Sequence, residues 1–216
     1  MKLFLFFFLI SLNLSAKTLI ITDSHGEATF GGKLVELIEE KKENVSIYAV
    51  GGTTAKDWVL GLDQIWGLWE HHTGGEDRRI DRPKTPLFSE LIALHHPDTI
   101  IIELGTNLIW HDLTQEDSLY IDNLLEASKA SGAQCFWVGP PDLRPSADYY
   151  EKREKDIHTL LSTKIPGSAC EFIPSWTFTF YPAKGGDGIH YDLVPLFGKT
   201  LAEGWAREVF RRINEH

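Results

Sequence analysis

The segment Leu19-Ile20-Ile21-Thr22-Asp23-Ser24-His25-Gly26 has the pattern of a buried strand that ends at a serine. Leu19 to Ile21 form a short apolar run, which is typical of a parallel strand covered on both faces. An amphipathic helix is predicted to follow, from Thr29 to Lys42, because apolar side chains recur there at helical spacing. Ser24 then lies on a strand-to-helix turn, where a hydroxyl is exposed and faces the positive end of the helix dipole.

Two interpretations of this turn are open on the segment alone. Ser24 is a nucleophile, or Asp23 and Ser24 merely close the turn and cap the helix. A second segment, Gly185-Gly186-Asp187-Gly188-Ile189-His190-Tyr191, favours the nucleophile. A serine hydroxyl needs a base to take its proton and a carboxylate to orient that base. Asp187 and His190 are three residues apart in a glycine-rich loop, where one tight turn can bring the carboxylate to the imidazole ring.

Two further blocks lie between these segments, Val50-Gly51-Gly52-Thr53-Thr54 and Leu104-Gly105-Thr106-Asn107. Together with Asp23-Ser24 and Asp187-x-x-His190, in this order, they resemble the four blocks of the SGNH (GDSL-type) hydrolase family. Each block alone is a weak signal, but the four in order cover the chain from Asp23 to His190.

The resemblance implies a Ser-His-Asp triad and an oxyanion hole. Ser24 would be the nucleophile, His190 its base and Asp187 the group that orients His190. The oxyanion donors would be the backbone N–H of Ser24, the backbone N–H of Gly52 and the side-chain amide of Asn107. No metal or other cofactor is expected for this chemistry.

The chain departs from the family pattern at two positions. Thr22 stands where the family has a glycine, and Leu108 where an aspartate often follows the asparagine. Neither departure removes a group that does chemistry. The choice between Gly51 and Gly52 stays open; Gly52 is preferred because it begins the Gly-x-Thr of the family block. Asn107 is alternatively an amide that caps a turn.

Strands and helices are predicted to alternate along the chain, which favours a parallel sheet. We expect an α/β fold, a flavodoxin-like three-layer α/β/α sandwich with a five-stranded parallel sheet in the order 2-1-3-4-5, as the resemblance also implies. The expected strands are 17–22, 45–50, 99–103, 135–138 and 170–173, and the expected helices are 29–42, 114–131, 146–162 and 192–214. The candidate site residues all follow strand ends, so they should meet at the carboxyl edge of the sheet.

Residues 1–16 are predicted to be a signal peptide, and residues 17–216 to form one hydrolase domain. Lys2 precedes the apolar run Leu3 to Ile10, and Leu14-Ser15-Ala16 offers a cleavage site. An uncleaved N-terminal anchor is the alternative. We therefore expect a periplasmic or secreted protein with no stable membrane insertion after cleavage.

The composition of this 216-residue chain limits the classes of partner that we expect it to bind. Its formal net charge of −10 argues against nucleic acid as a partner, and we expect a monomer that acts on an ester substrate. The pairs His71-His72 and His95-His96 are interpreted as surface residues because they lack a third metal ligand at a defined spacing. Cys135 and Cys170 are either a disulfide or two buried thiols.

The segment from Asp57 to Pro97 is longer than a crossover needs and is rich in tryptophan. Its indoles, with Trp110 and Trp176, either stack on sugar rings or fill a core. Trp110 and Arg144 are candidate substrate-binding residues, Arg144 for a substrate carboxylate unless it pairs with a nearby acid. We expect an exported carbohydrate O-acetylesterase acting on cell wall or exopolysaccharide; an O-acetyltransferase and a non-catalytic polysaccharide-binding module are the alternatives.

Overall fold

A single sheet runs through the protein, which the computed structural model describes at residues 15–144 and 148–215. The strands are β1 Lys17–Thr22, β2 Asn44–Val50, β3 Leu68–His72, β4 Arg78–Ile80, β5 Thr99–Glu103, β6 Gln134–Val138 and β7 Cys170–Ile173, and their order is β4-β3-β2-β1-β5-β6-β7. The five expected strands form the parallel part of this sheet in the expected order.

Within the described residues the sheet has seven strands, so the prediction of five was wrong. The additional strands β3 and β4 come from the long segment after Asp57 and pair antiparallel beside β2. They escaped detection because their residues are mostly polar or charged, as expected for strands at a solvated sheet edge. This pair of strands covers the edge that β2 would otherwise expose. The segment that connects β2 to β3 contains Trp66 and lies beside the carboxyl edge of the sheet.

Two helical layers cover the sheet, and alternate strand residues face each of them. The helices are α1 Thr29–Glu40, α2 Ala55–Leu60, α3 Phe88–His95, α4 Gln115–Ser131, α5 Asp148–Lys164 and α6 Gly198–Ile213. Ile20 and Ile101 pack with α1 and α6 on one face. Ile21 and Ile102 pack with the other four helices on the opposite face. This layering confirms the α/β/α sandwich.

The last helix begins six residues later than predicted. A 3₁₀ turn at Tyr191–Leu193 precedes it, and α6 starts only at Gly198. Pro195 intervenes; it lacks an N–H and disfavours helical backbone in the residue before it. Leu196 has a φ of +70°, which is also incompatible with a continuous helix.

Cys135 and Cys170 form a disulfide, which decides between the two alternatives left open by the sequence. They are register partners on β6 and β7, with Cα atoms 4.4 Å apart. Both lie near the amino ends of their strands, away from the carboxyl edge of the sheet. A disulfide is more typical of exported proteins than of cytosolic ones.

The predicted signal peptide lies outside the described residues except for Ser15 and Ala16. Within the part of the chain that the structure describes, no helix combines the length and the apolar character needed to cross a bilayer.

Candidate active site

Ser24 lies on the turn between β1 and α1, as its sequence pattern predicts. The turn is tight: a Cβ on Gly26 would lie 2.0 Å from Thr22 Cγ2. The Ser24 hydroxyl points toward the loop that follows β7, and its Oγ is 2.9 Å from Nε2 of His190. Two residues that are 166 positions apart in the chain therefore meet at this hydroxyl.

Asp187 and His190 form the compact turn that their spacing predicts. Asp187 Oδ2 is 2.6 Å from His190 Nδ1, and Oδ1 accepts the backbone N–H groups of Ile189 and His190, both at 2.8 Å. Partial burial disfavours the charged carboxylate, but these hydrogen bonds outweigh it, so the pKa of Asp187 lies below its usual value. An ionised Asp187 accepts the Nδ1–H and leaves Nε2 free to accept the Ser24 proton.

Tyr181 stabilises this turn through hydrogen bonds, and the sequence analysis did not identify this residue. Its hydroxyl accepts the N–H of Gly188 at 3.1 Å and donates to the carbonyl oxygen of His190 at 3.2 Å. A Cβ on Gly186, whose φ is +64°, would lie 2.1 Å from that hydroxyl. The glycines of the loop therefore serve backbone conformation and close packing. A lone tyrosine six residues before Asp187 offered no sequence signal.

Arg144 lies behind the same loop. Its guanidinium donates to the carbonyl oxygens of Pro182 at 3.0 Å and Gly185 at 2.8 Å, and it lies over the ring of Tyr181, 5.4 Å from the centroid. These contacts use the guanidinium within the protein, and Arg144 does not line the crevice at Ser24. The structure thus gives it carbonyl partners, and no acidic partner among the side chains that the structure describes.

Gly51 and Gly52 both line the crevice beside Ser24, but their N–H groups differ. The Gly51 N–H donates to the carbonyl oxygen of Gly67 at 3.0 Å. The N–H groups of Gly52 and Ser24 make no hydrogen bond to any residue that the structure describes. This geometry favours Gly52 as a donor to a substrate oxyanion.

Asn107 also lines the crevice beside Ser24. Its Nδ2 donates to Oδ2 of Asp23 at 3.2 Å and to the carbonyl oxygen of Thr53 at 3.1 Å. It follows β5 in a 3₁₀ turn, Thr106–Trp110, that begins after Gly105 at a φ of +140°. Because Nδ2 carries two hydrogens, donation to an oxyanion requires one of these bonds to be shared or exchanged.

The crevice over Ser24 has a volume of about 330 Å³ and two tryptophan walls. Trp66 is 61 % exposed and Trp110 is 55 % exposed. The Trp66 ring lies against Gly52, where an added Cβ would be 2.5 Å from its Cδ1. Glu27 also faces the crevice, and burial raises the pKa of its carboxyl. The crevice therefore offers exposed aromatic surface together with a carboxyl group.

The other tryptophans and histidines have structural contacts. Trp58 and Trp69 are buried in the two cores, and Trp176 stacks on His158 with ring centroids 3.9 Å apart. Of the histidine pairs interpreted as surface residues, His96 is exposed, and the remaining three are half-buried and hydrogen-bonded. These partners are Asp77 and Glu39 for His71, Ser46 and Glu70 for His72, and Tyr48 and Ser46 for His95.

His25 is the second histidine near Ser24, and it is fully buried. Its ring packs edge-on against Trp205, with centroids 5.2 Å apart, and lies 5.5 Å from the ring of His190. Burial, and then repulsion from His190, lowers the pKa of His25 to about 3. His25 is therefore neutral near pH 7 and adds no positive charge beside the base. Among the residues described, no cluster of three or more His, Cys, Asp or Glu side chains is arranged to hold a metal ion.

The resemblance of this protein to known proteins lies in its three-dimensional structure. No protein-family model matches the chain. No curated protein matches its sequence.

Solved structures resemble the protein over nearly the whole chain. They include a candidate SGNH hydrolase from Slackia heliotrinireducens, at 16% identity and a TM-score of 0.59, covering 90% of this chain and 98% of that one. A family 3 carbohydrate esterase from Clostridium thermocellum matches at 14% identity and a TM-score of 0.55, covering 92% and 98%. The psychrotrophic esterase EstA from Pseudoalteromonas sp. matches at 13% identity and a TM-score of 0.56, covering 93% and 98%. The protein thus has the fold of SGNH-type hydrolases.

Proposed function

We propose that the protein is an exported serine esterase that removes acyl groups, acetyl above all, from carbohydrates. The observation that carries the esterase assignment is the continuous chain of contacts from Ser24 Oγ through His190 to the Asp187 carboxylate, 2.9 Å and 2.6 Å long. A serine that merely caps a helix has no need of a histidine and a carboxylate in this arrangement.

The reaction proceeds in two steps on these residues. Ser24 Oγ attacks the ester carbonyl while His190 Nε2 takes its proton, and the same proton passes to the leaving alcohol as the acyl-enzyme forms. Water, activated by His190, then attacks the acyl-enzyme and releases the acid and Ser24. The oxyanion in both steps is held by the N–H groups of Ser24 and Gly52 and by the amide of Asn107. Removing one such donor costs about 3 kcal/mol of transition-state stabilisation.

The side chains that line the crevice support a carbohydrate as the alcohol part of the ester substrate. Trp66 and Trp110 present exposed indole faces beside the nucleophile, and flat aromatic faces suit the apolar faces of sugar rings. Glu27 offers an acceptor for a sugar hydroxyl and repels an anionic group. The fold likeness to a carbohydrate esterase is in keeping with this substrate class.

Export is supported by the signal pattern in residues 1–16 and by the disulfide between Cys135 and Cys170. An O-acetyltransferase remains the second candidate, because a sugar hydroxyl can replace water at the acyl-enzyme. The open crevice, about 330 Å³ in volume, admits either acceptor.

The test compares wild type, Ser24→Ala and the control Ser162→Ala, a change on the exposed face of α5. Acetate release from acetylated polysaccharides and nitrophenol release from nitrophenyl acetate are measured. We expect both activities in wild type and the control, and a loss of at least 10³-fold in Ser24→Ala. Acetyl transfer to an added sugar at the expense of free acetate would identify the transferase. Polysaccharide binding without turnover on any ester would identify a binding module and overturn the esterase.

A further inference from the structure

Two carboxyl groups lie beneath the crevice and are not part of the triad. Asp23 precedes Ser24, and Glu103 ends β5, where it is the register partner of Thr22 on β1. Both side chains are completely buried, and their carboxyl groups are within hydrogen-bonding range of each other. Two ionised carboxylates in such contact are strongly disfavoured, so the pair should share a proton near neutral pH.

The surroundings of the pair hold no compensating cation among the described residues. The titratable groups outside the pair that act on it are His190 and Glu27. Glu27 adds negative charge, and His190 is neutral in the state that accepts the Ser24 proton. Retention of one proton is therefore the available way to limit the buried charge.

The hydrogen-bond donors indicate which carboxyl keeps the proton. Asp23 accepts the backbone N–H of His25 at 3.0 Å and Nδ2 of Asn107 at 3.2 Å. Glu103 accepts the hydroxyl of Thr22 at 2.5 Å, while its Oε1 has no hydrogen-bond donor among the described residues. Each oxygen of Asp23 thus has a donor, whereas one oxygen of Glu103 has none, so Glu103 is the poorer anion and the proton belongs on it. Burial raises the pKa of both groups, that of Asp23 to about 7.

Asp23 connects the nucleophile turn to the oxyanion amide. It accepts hydrogen bonds from His25, the residue after Ser24, and from Asn107. A protonated Asp23 carboxyl could donate where it now accepts, and its bond to the Asn107 amide would weaken. The charge state of Asp23 therefore governs how firmly this amide is held.

We propose that Glu103 is a positioning residue that keeps its proton and donates a hydrogen bond to Asp23, so that an ionised Asp23 holds the Asn107 amide in place. Glu103 touches neither substrate nor the reacting atoms; it acts through Asp23 and Asn107. The inference rests on the proposed esterase function.

The test uses Glu103→Gln, Glu103→Ala and the control Glu126→Gln, a change at an exposed position on α4. Glutamine supplies a permanent N–H donor, so kcat for nitrophenyl acetate at pH 8, where Asp23 is ionised, should stay within about threefold of wild type. Alanine should lower kcat about tenfold with little change in KM, a fraction of the 10² to 10³ lost with an oxyanion donor itself. At alkaline pH wild type should lose activity as the pair releases its proton, whereas Glu103→Gln should not.

Thr22→Val is the second variant, for use if Glu103→Ala fails to fold by circular dichroism. Loss of the Thr22 hydroxyl disfavours ionised Glu103, so the alkaline limb of the pH profile should move to higher pH. Infrared spectroscopy provides a readout other than activity: a protonated carboxyl band of wild type should be absent from Glu103→Gln.

The outcomes separate this inference from the proposed function. The positioning role is overturned if Glu103→Gln and wild type share the same alkaline limb, or if the protonated carboxyl band survives in Glu103→Gln. It is also overturned if Glu103→Gln is as impaired as Glu103→Ala. In those cases a loss of activity in Ser24→Ala still upholds the esterase, whereas full activity in Ser24→Ala overturns the esterase whatever Glu103 does.

Discussion

The guanidinium of Arg144 donates to the carbonyl oxygen of Gly185 at 2.8 Å, two residues before Asp187. The same group reaches Pro182, and the backbone N–H of Arg144 donates to the carbonyl oxygen of Gly188 at 2.8 Å. Arg144 thereby ties the segment after β6 to both sides of Asp187. Its place in the structure is that of a brace for the triad loop.

Arg144→Ala should lower kcat about threefold to tenfold, because the loop that carries Asp187 and His190 loses two hydrogen bonds to a charged donor. KM should change by the same factor for a neutral and an anionic ester. Steady-state kinetics on a matched pair of such substrates measures both values. Arg144→Lys should recover only part of the loss, since an ammonium lacks the planar fork that reaches two carbonyls. A selective rise in KM for the anionic ester would instead support direct contact with substrate.

The two tryptophans that line the crevice should contribute to the binding of sugar esters and not to the binding of small esters. Trp66→Ala and Trp110→Ala should each raise KM for an acetylated polysaccharide about threefold to tenfold, in line with aromatic contacts of about 0.5–1.5 kcal/mol. KM for nitrophenyl acetate should stay within about twofold. Trp66→Phe, which keeps a ring, is the matched control and should lie near wild type. Equal effects on both substrates would indicate that the indole supports Gly52 instead of binding sugar.

The stability of the protein should depend on pH through Asp23 and Glu103. Their folded pKa values are raised above the unfolded values, so the folded state binds more protons. Their contribution to stability is therefore fully present below about pH 4 and is lost as the pH rises toward and through their folded pKa values, about 7 for Asp23.

Glu103→Gln removes one of these groups, so its free energy of unfolding relative to wild type should rise between pH 5 and pH 8. Urea unfolding at several pH values measures it, with Glu126→Gln as the control. A difference that does not change with pH would show that Glu103 binds no extra proton in the folded state.

The disulfide should stabilise the fold without affecting the chemistry. It closes a 35-residue separation, so the chain-entropy model assigns it about 4 kcal/mol. Cys135→Ala/Cys170→Ala should lower the free energy of unfolding by up to that amount. Its kcat at 25 °C should equal that of wild type, because the bridge lies near the amino ends of β6 and β7 and the site at the carboxyl edge. A large fall in kcat of the folded variant would contradict this separation.

Much of the site was predictable because its residues follow strand ends. The apolar runs before Ser24 and Asn107 predict buried parallel strands, and parallel strands bring their carboxyl ends to one edge. The polar strands β3 and β4 carry no such signal, because an edge strand with a solvated face needs no apolar run. Their discovery explains how Trp66, far from Ser24 in the chain, reaches the crevice.

The local pattern predicted the candidate catalytic residues and the turns that hold them. The contact between Asp187 and His190 is local, since the Asp187 carboxylate accepts the N–H groups of Ile189 and His190 and reaches the imidazole three residues later. Tertiary contacts were needed to distinguish the N–H groups of Gly51 and Gly52, to place Arg144 against the loop of Asp187, and to bring Asp23 against Glu103. Each of these depends on groups far apart in the chain, and the state of a buried group depends on what folding places against it and on the water that folding removes.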